Sequence, residues 1–157
     1  MKAFQIDNIK NFMKNLLIGD SFDNFLLEEA SIKTYNTFTI GGRIIPEYFD
    51  DYEFGYEFST WKDIRPVCFD LIKGKQLPVS CHFVLLLKPE KVEQILRLGN
   101  SPTSADMVKG FTLNIKYVGG NVTLISATGM KTFVMDQTPD RLWDEYMEDF
   151  ARKYLNN

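Results

Sequence analysis

The sequence predicts an α+β fold in which two β-α-β-β-β units form antiparallel sheets with helices on one face. Three observations carry that expectation. Val108 to Met130 holds two β-rich runs around Gly119-Gly120, four other stretches keep helical apolar spacing, and the order strand, helix, long strand, turn, strand occurs twice. The first unit covers about 3–45 and the second about 77–136. An insertion, about 46–76, holds a helix near 61–73, and a C-terminal helix spans about 139–155. Together they are read as a single domain over 1–157.

The chain opens with a short strand in which Phe4 and Ile6 alternate with polar residues, and Asp7 stands where a helix N-cap belongs. Ile9, Phe12, Met13, Leu16 and Leu17 then form one helical stripe, stopped by Gly19. Phe25 to Ile45 is extended, with Tyr35-Asn36 and Gly41-Gly42 as turn or bulge points; the pattern leaves its register open, since a slip of one residue exchanges the faces. In residues 46–60 acid and aromatic residues alternate, and Tyr52 to Phe58 fits an edge strand whose carboxylates discourage edge pairing.

Ser59 or Thr60 caps the inserted helix, whose stripe is Trp61, Ile64, Val67, Cys68, Leu71 and Ile72. Pro66 predicts a first turn, a kink, and a helix from Pro66 to Lys73. Leu77 to Leu87 is the most apolar run and reads as a central strand, with Cys81, Phe83, Leu85 and Leu87 on one face and Ser80 and His82 on the other. Pro89 starts a helix that ends at Gly99. Gly119-Gly120 then supplies the φ > 0 turn of a hairpin. It sets Tyr117 opposite Val122, Ile115 opposite Leu124 and Leu113 opposite Ser126, with Phe111, Leu113, Ile115, Tyr117, Val122 and Leu124 on the buried face. A further strand, Lys131 to Met135, extends the hairpin to a meander, and Thr138-Pro139 starts the last helix.

A chain of 157 residues buries roughly 70% of its extended surface without a covalent staple. Lys+Arg 18 against Asp+Glu 21 gives a net charge of -3, which argues against a protein that coats nucleic acid by charge alone. No run reaches the ~18 apolar residues of a membrane span, and the first residues lack the layout of a signal peptide, so a cytoplasmic location without membrane contact is expected. Cys68 and Cys81 have no CxxC spacing and sit in apolar runs, as buried free thiols do.

No catalytic set, metal site or cofactor motif is present: the chain has one histidine and lacks HxxxH, CxxC, Walker and GxSxG patterns. Two surfaces remain. Lys10 and Lys14, with Lys2, form the basic outer side of the first helix region and are the candidates for contact with DNA phosphates. Tyr48, Phe49, Tyr52, Phe54, Tyr56 and Trp61 are the candidates for docking a protein partner, because aromatics favour interface cores. An alternative reading is a small hydrolase or transferase built on Asp50, Asp51, Glu53 and Asp70, near Ser80 or His82.

The duplicated unit, with Gly110-Phe111-Thr112-Leu113-Asn114-Ile115, Val122-Thr123-Leu124 and Ala127-Thr128-Gly129, resembles the DNA sliding-clamp family. That resemblance implies helices that line a ring around duplex DNA without reading its sequence, and an outer apolar groove that receives peptides. Here Gly129 stands where the family's turn has an acid. The chain is also similar to a group of short bacterial proteins of unknown function that share Trp61-x-x-Ile64-Arg65-Pro66-x-Cys68-Phe69 and Leu71-Ile72-Lys73-Gly74-Lys75. The function expected is a non-enzymatic, clamp-like binding module that acts through a protein partner, or through sequence-independent DNA binding as a homo-oligomer.

Overall fold

The computed structural model describes residues 1–49, 55–74 and 76–155. Its architecture is α+β: one six-stranded antiparallel sheet and four α-helices. The strands are β1 (Lys2–Ile6), β2 (Phe25–Lys33), β3 (Thr37–Gly41), β4 (Ser80–Leu87), β5 (Val108–Val118) and β6 (Asn121–Met130). The helices are α1 (Ile9–Leu17), α2 (Trp61–Ile72), α3 (Pro89–Leu98) and α4 (Thr138–Phe150), the last running into a π-helical turn, Ala151–Leu155. Spatially the strands run β1-β6-β5-β4-β2-β3, so β4 is interior, as its apolar run predicts.

Gly119 and Gly120 have φ of +58° and +78°, a turn open to glycine without steric cost. The register follows from it: Tyr117 faces Val122, Ile115 faces Leu124 and Leu113 faces Ser126, and the six apolar residues of that face are buried. The same side of β4 and β2 carries Cys81, Phe83, Leu85 and Leu87, then Phe25, Leu27, Ala30 and Ile32. Helices cover this side. The Trp61 ring meets Phe83 edge-on, and Trp143 stacks on Phe111 and tilts against Phe25, while Phe22 bridges Phe12 and Phe150. The other side has Ser31, His82, Asn114, Lys116 and Thr123, suited to water.

Several expectations change. Lys131–Met135 is not a strand. β5 takes one edge of β6 and β1 pairs with Val122 to Ser126 on the other, so a strand turning back after Gly129 would run into β1. Each unit therefore contributes strand, helix, strand, strand, and the strands of both join one sheet. The cap of α1 is Asn8, whose side chain accepts from the Asn11 amide, and not Asp7. α2 runs unbroken through Pro66 from its Thr60 cap. Its first turn is pinned by the buried Trp61, whose indole N–H donates to the Leu16 carbonyl at 2.8 Å, so the helix keeps its course without a Pro66 amide. The edge strand expected from Tyr52 to Phe58 lies partly outside the described residues. From 55 to 60 the chain forms two isolated bridges, Arg43 to Phe58 and Leu26 to Thr60.

Candidate functional site

β2 and β3 pair in register from Lys33–Thr37 to Glu29–Gly41 and then part. At the point of parting Gly42 packs directly on the β2 backbone, where an added Cβ would lie 1.7 Å from the Leu27 carbonyl oxygen. Residues 57–60 enter the gap as a strap. The Ser59 amide donates to the Gly42 carbonyl and the Leu27 amide to the Ser59 carbonyl, both at 2.8 Å, and the Ile44 amide donates to the Glu57 carbonyl at 2.9 Å. Thr60, the next residue, caps α2 by accepting from the Asp63 amide.

The strap and the chain after β3 flank a groove of about 740 Å³ between segments 43–49 and 55–63, lined by Arg43, Ile44, Ile45, Glu47, Tyr48 and Phe49 on one side and by Gly55, Tyr56, Phe58, Ser59, Thr60 and Asp63 on the other. A 3₁₀ turn, Pro46–Tyr48, forms its outer lip. Ile45 is 66% exposed, Tyr48 84% and Phe49 47%, with Tyr48 and Phe49 meeting edge-to-face at 5.3 Å. Phe58 forms an inner wall, with the Arg43 guanidinium 4.9 Å above its ring and paired with Glu57. Tyr56 donates its hydroxyl to Glu90 on α3, and that bond, with burial and the carboxylate's charge, pushes the phenol up to about 12. Burial alone pushes Glu90 upward. The Tyr56 hydroxyl, with Lys88 and Lys91, outweighs it and leaves the carboxyl below its ordinary value.

The structure thus brings Tyr48, Phe49 and Tyr56 together at one groove; Tyr52 and Phe54 lie outside the described residues. Trp61 must be withdrawn as a docking residue. It is 0% exposed, wedged between Phe83 and the Leu16 carbonyl, and so belongs to the core. Sequence reasoning missed Arg43 and Ile45. The signal available was Ile44-Ile45-Pro46, an apolar pair ahead of a proline that starts a turn.

The cationic candidates lie elsewhere. Lys2 is engaged by Glu148 and sits over the Phe4 ring. Lys10 and Lys14 project from α1, both exposed, one turn apart. The acid-based alternative is not assembled among the described residues. Asp70 is exposed and paired with Lys73 at 3.0 Å, while α2 lies on the Phe83 side of β4 and His82 points to the opposite side, hydrogen-bonded to Asn114 at 3.1 Å. Asp50, Asp51 and Glu53 lie outside the described residues. Both cysteines are free and buried, and burial pushes the Cys68 thiol up to about 12 and the Cys81 thiol up to about 11. Among the described residues no group of three or more His, Cys, Asp or Glu could hold a metal ion, and no helix is long and apolar enough to cross a membrane.

Neither a curated protein nor a solved structure matches the chain. Residues 15–155 match the model of a family of unknown function, DUF5721. That span contains β2 to β6, all of α2 to α4 and both walls of the groove, and the chain belongs to this family of unknown function.

Proposed function

We propose that the protein is a non-enzymatic binding module whose groove at residues 43–49 and 55–63 receives a segment of a protein partner. The observation that supports this is the placement of Ile45, Tyr48 and Phe49 at the surface of a hydrogen-bonded frame. Side chains of that kind cost free energy in water and gain it when a partner covers them. Arg43 is already neutralised by Glu57, which leaves Glu47 and Asp63 as the lining charges without an ion-pair partner among the described residues. The occupant that fits is therefore a peptide with an aliphatic or aromatic anchor flanked by Lys or Arg.

A displayed random-peptide library selected on the wild type, followed by resonance mapping of the winners, tests this. Peptides of that composition that shift residues 43–49 and 55–63, and lose affinity about tenfold or more when Tyr48 and Phe49 are both alanine, support the reading. Winners that bind the double variant equally well sink it.

Duplex DNA is a second reading, favoured by Lys10 and Lys14, which have no partner among the described residues. In the clamp-like arrangement α1 would face the phosphates. Two lysines per chain would give a shallow salt dependence, with a slope of roughly -2 per chain in log K against log salt. A duplex affinity that does not change with salt, or that survives alanine at both lysines, removes this reading.

A further inference from the structure

A second surface, independent of the groove, is the free edge of β3. Among the described residues this strand ends the sheet and has β2 as its one neighbour. The bonded pairs of that ladder identify which side is free. The Gly42 amide donates to the Glu28 carbonyl at 2.8 Å and the Thr34 amide to the Asn36 carbonyl at 3.0 Å, with Ala30–Ile40 and Ile32–Phe38 in register between them. Bonded and non-bonded pairs alternate in an antiparallel ladder, so Phe38 and Ile40 turn their amides and carbonyls toward β2. Those of Thr37, Thr39 and Gly41 point outward, and no strand among the described residues meets them.

Sheet edges in soluble proteins carry a device against pairing, such as a charge or a proline. The opposite edge has one, since β1 carries Lys2, held by Glu148. β3 has neither: it reads Thr37-Phe38-Thr39-Ile40-Gly41, four residues of high strand propensity and a glycine, without charge or proline. Tyr35, exposed beside it, meets Phe38 edge-on and extends the apolar strip past the strand.

The geometry points to a second copy of this chain as the occupant: β3 pairs antiparallel with β3 of the copy about a two-fold axis through Thr39. Only that register pairs all five residues while keeping the outward groups bonded. Thr37 then faces Gly41 of the copy, Thr39 faces itself, and each such pair exchanges two backbone bonds. Phe38 faces Ile40 of the copy on the helix side, an aromatic against a β-branched residue. Nothing lies within 4 Å of the Cβ position of Gly41, which leaves room for the opposing Thr37. The strand is thus its own complement, as an isologous interface requires, and it offers no charge for a differently charged partner to match.

Sedimentation velocity on the full chain tests the inference, over a series reaching about 1 mM, where even a millimolar pair is half assembled. The wild type is expected to move from monomer to dimer. The Thr39 side chain is exposed, so Thr39→Lys keeps the monomer fold but sets two ammonium groups opposite each other, raising the dissociation constant by up to about fivefold; an unchanged urea midpoint confirms the fold. Mild oxidation of Thr39→Cys is expected to link two chains, because the bonded pair sets their Cα atoms about 5.5 Å apart. Thr37→Cys, which faces glycine, is not; the native thiols are buried and do not compete. A wild type that stays monomeric throughout, a Thr39→Lys protein that dimerises as well as wild type, or cross-linking at 37 in place of 39 would overturn the inference.

Discussion

Replacing Gly42 by alanine tests whether the close approach of β3 to β2 holds the strap in place. The added methyl carbon would sit 1.7 Å from the Leu27 carbonyl oxygen and 2.6 Å from its carbon, both backbone atoms that cannot rotate away. An ordinary contact needs about 3.5 Å, so the two chains must separate by well over an ångström. Three hydrogen bonds of 2.8 Å meet at this point, from Gly42 to Glu28, Ser59 to Gly42 and Leu27 to Ser59, and such a separation breaks or weakens all of them. At about 1 kcal/mol net for each, the loss is roughly 3 kcal/mol or more, a large share of the 5–15 kcal/mol that holds a typical domain folded. Urea denaturation followed by circular dichroism reads it directly. Gly41→Ala is the matched control: nothing lies within 4 Å of its Cβ position, so its stability should stay within about 0.5 kcal/mol of wild type. If Gly42→Ala unfolds at the wild-type midpoint, the strap is not held by that contact and the account of the groove's frame is wrong.

Three further outcomes are expected. Trp61→Phe removes the indole donor from a buried site and leaves the Leu16 carbonyl unpaired, costing about 1–3 kcal/mol, again read by urea denaturation; a loss below about 0.5 kcal/mol would contradict the anchoring role given to that bond. Cys68 and Cys81 should resist a disulfide reagent in the native state at pH 8 and react in denaturant, since burial holds both thiols protonated; fast native labelling would refute their placement. Tyr56 has a raised folded-state value, so the stability from its neutral hydroxyl is fully present below pH 10 and is lost as pH rises toward 12. Glu90 is lowered, so its share is present above the ordinary carboxylate range and is lost as acid takes the pH down through the lowered value. An absorbance titration should show a late tyrosinate step near pH 12 that vanishes in Tyr56→Phe, and an unchanged titration curve for that variant would count against the Tyr56–Glu90 bond.

Local chemistry made the hairpin legible: two glycines at the turn fix the pairing of β5 and β6, and a period of two then assigns every side chain to a face. The helix stripes were legible for the same reason, as in α1, where Phe12, Leu16 and Leu17 are buried. What failed depended on neighbours that a linear pattern does not specify. Lys131–Met135 ends in the apolar run Phe133-Val134-Met135, as a strand can, yet β1 already pairs with the stretch of β6 that it would fold back on. Trp61 follows an aromatic-rich run that suggests docking, but its place on the stripe with Ile64 and Cys68 is the better guide to its burial. Gly42 was readable as a break in an extended region, but its closeness to Leu27 arises only when β2 and β3 are brought side by side.

The alternation of the backbone along β3 explains how one short strand can serve two surfaces without mixing them. Phe38 and Ile40 spend their amides and carbonyls on β2, and Gly42 and Ile44 continue that side by bonding Glu28 and the strap, so the groove hangs on the even-numbered residues. Within β3, Thr37, Thr39 and Gly41 face outward and have no part in that frame. Thr39→Lys should therefore weaken self-association and leave peptide binding in the groove unchanged. Gly42→Ala should disturb both, because it displaces the strand itself. A Thr39→Lys protein that also lost groove binding would mean that the two surfaces are one interface, with the groove completed by the second copy.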